Sequence, residues 1–168
     1  MFVLVMGVTG SGKSTVGKLL AERLGLPFRD ADDFHSPENR AKMANNIPLD
    51  DADRRPWIEL LAKLAVGWGA QGGAVLACSA VKKAYRQTLL AQVPNHHIVY
   101  LQLSRQALER RLAGRRGQHD FVRDFDQLLD GQFRDLEPPA GAIAILAESS
   151  PTEIVSRALA GLASASAC

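Results

Sequence analysis

An apolar run at the start of the chain, Phe2 to Met6, breaks directly into Gly7-Val8-Thr9-Gly10-Ser11-Gly12-Lys13-Ser14, and this junction constrains the fold more than any other segment. The octet fits GxxxxGK[ST] at every specified position. A chain of this length and composition would produce it by chance about three times in a thousand. Its context is also right, a buried strand before it and a helical pattern opening at Lys13. Glycines in such a turn let backbone N–H groups curl around phosphate oxygens, and the helix N-terminus adds its dipole. Lys13 is placed to reach the β and γ phosphates and Ser14 to ligate Mg²⁺. Gly7, Thr9, Gly10, Ser11, Gly12, Lys13, Ser14 and Thr15 are therefore the nucleotide-binding candidates. Lys13 is also a catalytic one, with ATP and Mg²⁺ as the implied cofactors.

The remaining strand candidates are a brief one near Phe28, then Ala74 to Cys78, Ile98 to Leu103 and Ala142 to Leu146. Their apolar character is continuous rather than alternating, as in strands covered on both faces. Helical patterns run over Lys13 to Leu24, Pro37 to Ala44, Pro56 to Ala70, Lys83 to Ala91, Arg105 to Ala113, Phe125 to Leu136 and Pro151 to Ala163. Ser36-Pro37 and Ser150-Pro151 each put a capping hydroxyl before a proline at the first helical position, and Ser150 with Glu153 spells a capping box. Strand and helix alternate, which predicts an α/β fold with a parallel, doubly wound sheet. The 168 residues are expected to form one domain, with a small-residue tail from Ala163 that frays.

Composition narrows the function classes. Apolar residues at 46% and charged residues at 23% are ordinary globular usage, with no run long enough for a membrane span. The first residues lack a basic n-region and a cleavage site, so they read as a strand rather than a signal peptide. Two cysteines, Cys78 in an apolar run and Cys168 at the end, imply no disulfide framework and fit a reducing, cytoplasmic compartment. A net charge of +2 is too small for a chain whose main partner is nucleic acid. The strand AVLACSAVKK ends in Ser79 rather than a Walker-B aspartate, and no NKxD for guanine recognition occurs. Both absences favour a kinase acting on a small molecule over a motor ATPase or a GTPase.

The acceptor side is sought in the loops beyond the strand C-termini. Asp30-Ala31-Asp32-Asp33-Phe34-His35 follows the second strand. There Asp32 is assigned as the base that orients and deprotonates the attacking hydroxyl, and Asp30 as metal-side support. The competing reading has these acids merely cap the following helix. His35 is a candidate for substrate contact or, equally, a surface or capping residue. In Asp50-Asp51-Ala52-Asp53-Arg54-Arg55-Pro56-Trp57, helix capping explains the acids, with Pro56 in the first turn. It leaves Arg54 for the acceptor's carboxylate, which guanidinium matches in a bidentate way. Trp57 reads as core. Lys82 and Arg86 lie four apart and can share a helical face toward the cleft, or lie on a solvated face. Cys78 has no base at recognisable spacing and reads as a packed strand residue.

Arg105, Arg110, Arg111, Arg115 and Arg116 punctuate the stretch LSRQALERRLAGRRGQHDF, with Gly114 and Gly117 as hinge points. Residues 112–124 read as an arginine-rich lid, with Arg111 and Arg115 placed to stabilise charge on the transferring phosphoryl group. A nucleic-acid patch is the rival reading, but no aromatic residues interleave the arginines.

Assembled, these pieces resemble bacterial gluconate kinase (gluconokinase), in the nucleoside-monophosphate-kinase-like group of P-loop enzymes. The matching segments are GVTGSGKST, DADDFH, NRAKM with PLDDADRRPW, CSAVKKAYR and LLDGQFRDLEPP, over nearly the whole chain. The resemblance implies a three-layer P-loop kinase fold with a five-stranded sheet of order 2-3-1-4-5, helices on both faces and Mg²⁺ dependence. It implies ATP-dependent phosphorylation of D-gluconate to 6-phosphogluconate by a homodimer, and supports Asp32, Arg54, Lys82 and Arg86 on the acceptor side. Alternatives are shikimate kinase, which also pairs a P-loop with Asp-x-Asp, and a non-enzymatic P-loop regulator that senses nucleotide.

Overall fold

The computed structural model describes residues 1–45, 47–113 and 122–165. Its strands are β1 (Phe2–Met6), β2 (Phe28–Asp30), β3 (Ala74–Ala77), β4 (His96–Gln102) and β5 (Ile143–Leu146). All pair in parallel in the order β2-β3-β1-β4-β5. The helices are α1 (Lys13–Leu24), α2 (Pro37–Ala44), α3 (Asp51–Ala70), α4 (Lys83–Leu90), α5 (Arg105–Ala113), α6 (Val122–Asp135) and α7 (Pro151–Ala165), with a short 3₁₀ turn at Ala31–Phe34.

The pleat of the central strand explains the layering. Val3 and Val5 of β1 enter one buried cluster with Val16, Leu20, Leu108, Ile154 and Leu162, from α1, α5 and α7. Phe2, Leu4 and Met6 point the other way, into a second cluster with Trp57, Ile58, Leu61 and Leu89 from α3 and α4. A strand apolar at every position is what two such cores require. The sheet therefore carries helices on both faces, as expected of a doubly wound fold.

Most elements fall where the periodicity places them, and Ser36 and Ser150 both cap as read. The main departure is α3, which begins at Asp51 rather than Pro56. Asp50 and Asp53 form a reciprocal capping box: the Asp50 carboxylate accepts from Asp53 N at 2.8 Å and the Asp53 carboxylate accepts from Asp50 N at 3.1 Å. Pro56 thus sits in the second turn, where it forgoes one helical hydrogen bond, and the cap sets the start instead. A second departure concerns Lys82, which is the N-cap of α4 and not a member of it, so it shares no helical face with Arg86.

Candidate active site

The phosphate loop is built by backbone conformations that side chains rarely tolerate. Gly7 has φ +153°, and a Cβ there would lie 2.7 Å from Ser11 Oγ and 2.8 Å from Leu101 O. Gly12, the N-cap of α1, is left-handed at φ +97° and supplies no capping side chain. Val16 N donates to Gly12 O at 2.9 Å, so the N–H groups of the first turn before it have no helical acceptor. They are left for an anion, with the helix dipole behind them.

A cavity of about 490 Å³ opens over this loop. Thr9 to Val16 line its centre. Asp30, Asp32, Ala77, Cys78 and Ser79, from the ends of β2 and β3, line one side, and Arg111, Ser149, Pro151 and Ile154 line the other. The sheet order dictates this division, because β1 lies between β3 and β4. The nucleotide-binding candidates from Thr9 to Thr15 all reach the cavity, and Gly7 shapes the turn beneath it.

On the acidic side, Ser14 Oγ donates to Asp30 Oδ2 at 2.6 Å, while Asp30 Oδ1 accepts from Asp32 N at 3.2 Å. Lys13 Nζ donates to Val8 O at 3.1 Å. Asp32 sits within this concave cleft although 73% of its side chain is accessible. Loss of hydration there, followed by repulsion from Asp30, holds its carboxyl above the ordinary value of 3.8, against the pull of Lys13. Desolvation lowers the Lys13 ammonium below its ordinary value, and Asp32 opposes that shift most. A carboxyl made more basic beside an ammonium made more acidic is a pair with perturbed proton affinities at one cleft. Cys78 is different: burial pushes its thiol up to about 12, which leaves no nucleophile.

His35 is 7% exposed and stacks on Trp57 with ring centroids 4.2 Å apart. Trp57 Nε1 donates to Ala31 O at 2.9 Å, so the indole pins the 3₁₀ turn that carries Asp32. His35 Nε2 lies 3.9 Å from Asp32 Oδ1, and Nδ1 is buried without a hydrogen-bond partner among the described residues. Desolvation, ahead of the counteracting Asp32, keeps its pKa below the ordinary value, so the ring is neutral near pH 7.

The remaining acceptor-side candidates separate. Arg54 is half-buried, and its guanidinium makes no hydrogen bond or ion pair among the described residues. Lys82 Nζ is held by Asp51 at 2.7 Å and lies 3.7 Å from Asp135, while Tyr85 also donates to Asp51. Arg86 is buried and donates to Ala80 O and Val81 O, each at 2.8 Å, and to Glu137 O at 2.7 Å. It braces the turn after β3, where Ala80 holds a left-handed φ of 35°. For a residue with a Cβ that conformation costs about 1 kcal/mol.

Of the arginines, Arg111 reaches the cavity. Its Nη1 donates to Gly10 O and Ser11 O, each at 3.2 Å, and its Nη2 to Ala147 O. Arg105 pairs with Glu109 and Asp130, and Arg110 lies 3.8 Å from Glu148. Arg115, Arg116 and His119, with most of the 112–124 lid, lie outside the described residues.

Sequence reasoning missed Gln132, on α6, which is 8% exposed and binds the loop from 123 residues away. Thr9 N donates to its Oε1 at 2.6 Å and its Nε2 donates to Thr9 Oγ1 at 2.8 Å. The one available signal was a polar residue among the apolar positions of LLDGQFRDL.

A Gly-Lys-Ser phosphate cup at the C-terminal edge of a 2-3-1-4-5 sheet, faced by carboxylates from the neighbouring strand, defines a P-loop kinase. A family model described as shikimate kinase matches residues 9–157. A probable gluconokinase of Xenopus tropicalis is 42% identical over 175 residues, spanning 93% of this chain and 90% of the relative. The crystal structure of a gluconokinase from Sinorhizobium meliloti matches with a TM-score of 0.85 at 40% identity, over 98% of this chain and 92% of that chain. Shikimate kinase from Aquifex aeolicus matches 99% of this chain and 98% of its own with a TM-score of 0.58 at 16% identity, a likeness of fold alone. The chain belongs to the shikimate-kinase family and, within it, to the gluconokinases.

Proposed function

We propose that this enzyme transfers the γ-phosphate of ATP to D-gluconate, giving 6-phospho-D-gluconate. The observation that carries the reading is Asp32 and Lys13 lining one cavity, a basic carboxylate for an alcohol facing a cation for the phosphates. The relatives called gluconokinases support gluconate as the alcohol. Nucleotide phosphates fit the N–H groups at the start of α1, and the base fits the wall formed by Arg111, Ser149 and Pro151.

In this reading Asp32 accepts the proton of the attacking hydroxyl, and its raised proton affinity suits that task. Lys13 holds the developing charge on the transferred group. Arg54, whose guanidinium makes no hydrogen bond or ion pair among the described residues, binds the gluconate carboxylate in fork geometry. His35, Lys82 and Arg86 shape the acceptor side, His35 by its stack on Trp57 and Arg86 by bracing the turn after β3. Ser14 and Asp30 are hard oxygen donors 2.6 Å apart and fit Mg²⁺, directly or through water. Bound there, Mg²⁺ would neutralise charge on the β and γ phosphates. Arg111 steadies the cup through Gly10 O and Ser11 O, and Arg115 acts from the lid.

We read the chain as one kinase domain with residues 112–124 as its lid, working as a homodimer in the cytoplasm. Among the described residues no helix is long and apolar enough to cross a membrane, and Leu60 and Val66 expose apolar surface on α3. ADP release measured with gluconate, shikimate and glycerate tests the substrate. Turnover is expected with gluconate, and a preference for either of the others overturns the assignment. Light scattering after size exclusion reads the mass of the assembly.

A further inference from the structure

We infer that Gln132 is a positioning residue for phosphoryl transfer: a clip on α6 that fixes the phosphate cup through both polar groups of Thr9. The inference rests on the nucleotide-binding reading of the loop, and not on the identity of the acceptor.

Thr9 lies between the two glycines that shape the first half of the loop, and its side chain lines the cavity. Its N–H must find an acceptor once the loop is partly buried, and no loop carbonyl serves it. Gln132 Oε1 accepts from that N–H at 2.6 Å while Gln132 Nε2 donates to Thr9 Oγ1 at 2.8 Å. The N–H can only donate, which fixes the orientation of the amide. With Gln132 8% exposed, both bonds are partly shielded from water and losing them leaves polar atoms of the amide site unpaired.

The connectivity gives the clip its consequence. Gln132 lies on the part of α6 that follows residues 112–124 in the chain, next to Leu129 in the core. Arg111 on α5, before the lid segment, holds the carbonyls of Gly10 and Ser11. The helices on both sides of the lid thus grip adjacent residues of one loop, Gln132 by the N–H and hydroxyl of Thr9, Arg111 by the next two carbonyls. The shape of the cup therefore depends on α6 being docked, and nucleotide in the cup favours the docked helix in return.

The test compares Gln132→Met, Gln132→Glu and Thr9→Val, alone and as the Gln132→Met/Thr9→Val pair. Affinity for a fluorescent ATP analogue is titrated without acceptor, and kcat, KM for each substrate and thermal midpoint are measured in parallel. Gln132→Met is expected to weaken nucleotide binding and kcat/KM for ATP about tenfold, with KM for gluconate within about twofold of wild type. Gln132→Glu can still accept from both Thr9 groups, so its thermal midpoint should stay near wild type while its negative charge weakens ATP binding. The double variant should lose less than the sum of the single losses. Unchanged nucleotide affinity in Gln132→Met, or additive losses in the pair, would overturn the inference. So would a Gln132→Glu variant whose thermal midpoint falls as far as that of Gln132→Met. A wild-type protein that binds nucleotide through an intact clip but ignores gluconate would instead remove the acceptor assignment alone.

Discussion

Ser14 Oγ and Asp30 Oδ2 meet at 2.6 Å, joining the first turn of α1 to the end of β2. Sixteen residues apart in sequence, they are neighbours because β2 lies parallel to β1, two strands away, and ends with Asp30 at the same edge of the sheet as the phosphate loop. The second oxygen of Asp30 accepts from Asp32 N, so the pair proposed to hold Mg²⁺ and the proposed base are tied together by one carboxylate.

Asp30→Asn should therefore raise the Mg²⁺ concentration needed for half-maximal rate by about 10- to 100-fold, with ATP analogue binding in the absence of metal little changed. Ser14→Ala should act in the same direction. Chelation with EDTA should stop turnover and added Mg²⁺ restore it, read by ADP release across a Mg²⁺ titration.

Asp32→Asn is expected to lower kcat by about 100- to 10,000-fold while nucleotide still binds. The same change should raise the thermal midpoint at pH 7. The folded protein binds this proton more tightly than the unfolded chain does, so the carboxyl favours folding at acid pH. That contribution is lost as pH rises from 3.8 through the raised folded value. At neutral pH the ionised carboxylate thus opposes folding, and the amide relieves it. A scan of kcat against pH should fall on the acid side at a pH above the ordinary aspartate value of 3.8, and the variant should lack that limb.

Lys13→Met removes the cation that faces the phosphates and should cost about 100- to 1,000-fold in kcat. Circular dichroism should show the fold retained, since Lys13 makes one side-chain hydrogen bond, to Val8 O.

Arg54 and Arg86 should respond in opposite ways. Arg54→Ala is expected to raise KM for gluconate about 10- to 100-fold with little change in thermal midpoint, because its guanidinium makes no hydrogen bond or ion pair among the described residues. Arg86→Met strands three carbonyls and should cost about 3 kcal/mol of stability, read by urea denaturation.

The local pattern of residues determined the elements, since hydrophobic period and capping chemistry act within a few residues. Five short strands, all but the second largely apolar, GxxxxGKS at a strand-to-helix junction and carboxylates after the second strand were all legible in the chain. The start of α3 was misjudged because proline at the first position is a common signal, and the reciprocal Asp50–Asp53 cap overrode it. What only the tertiary structure decided was the partner of each long polar side chain. Arg54, Lys82 and Arg86 look alike as cations near a cleft, yet one makes no hydrogen bond or ion pair among the described residues, one is tied to Asp51, and one is buried under three carbonyls. The clip between Thr9 and Gln132 spans 123 residues and exists only once α6 packs against the loop after β1. Sequence spacing fixes which face of an element a residue occupies; which acceptor it meets across a packed interface depends on how whole layers settle against each other.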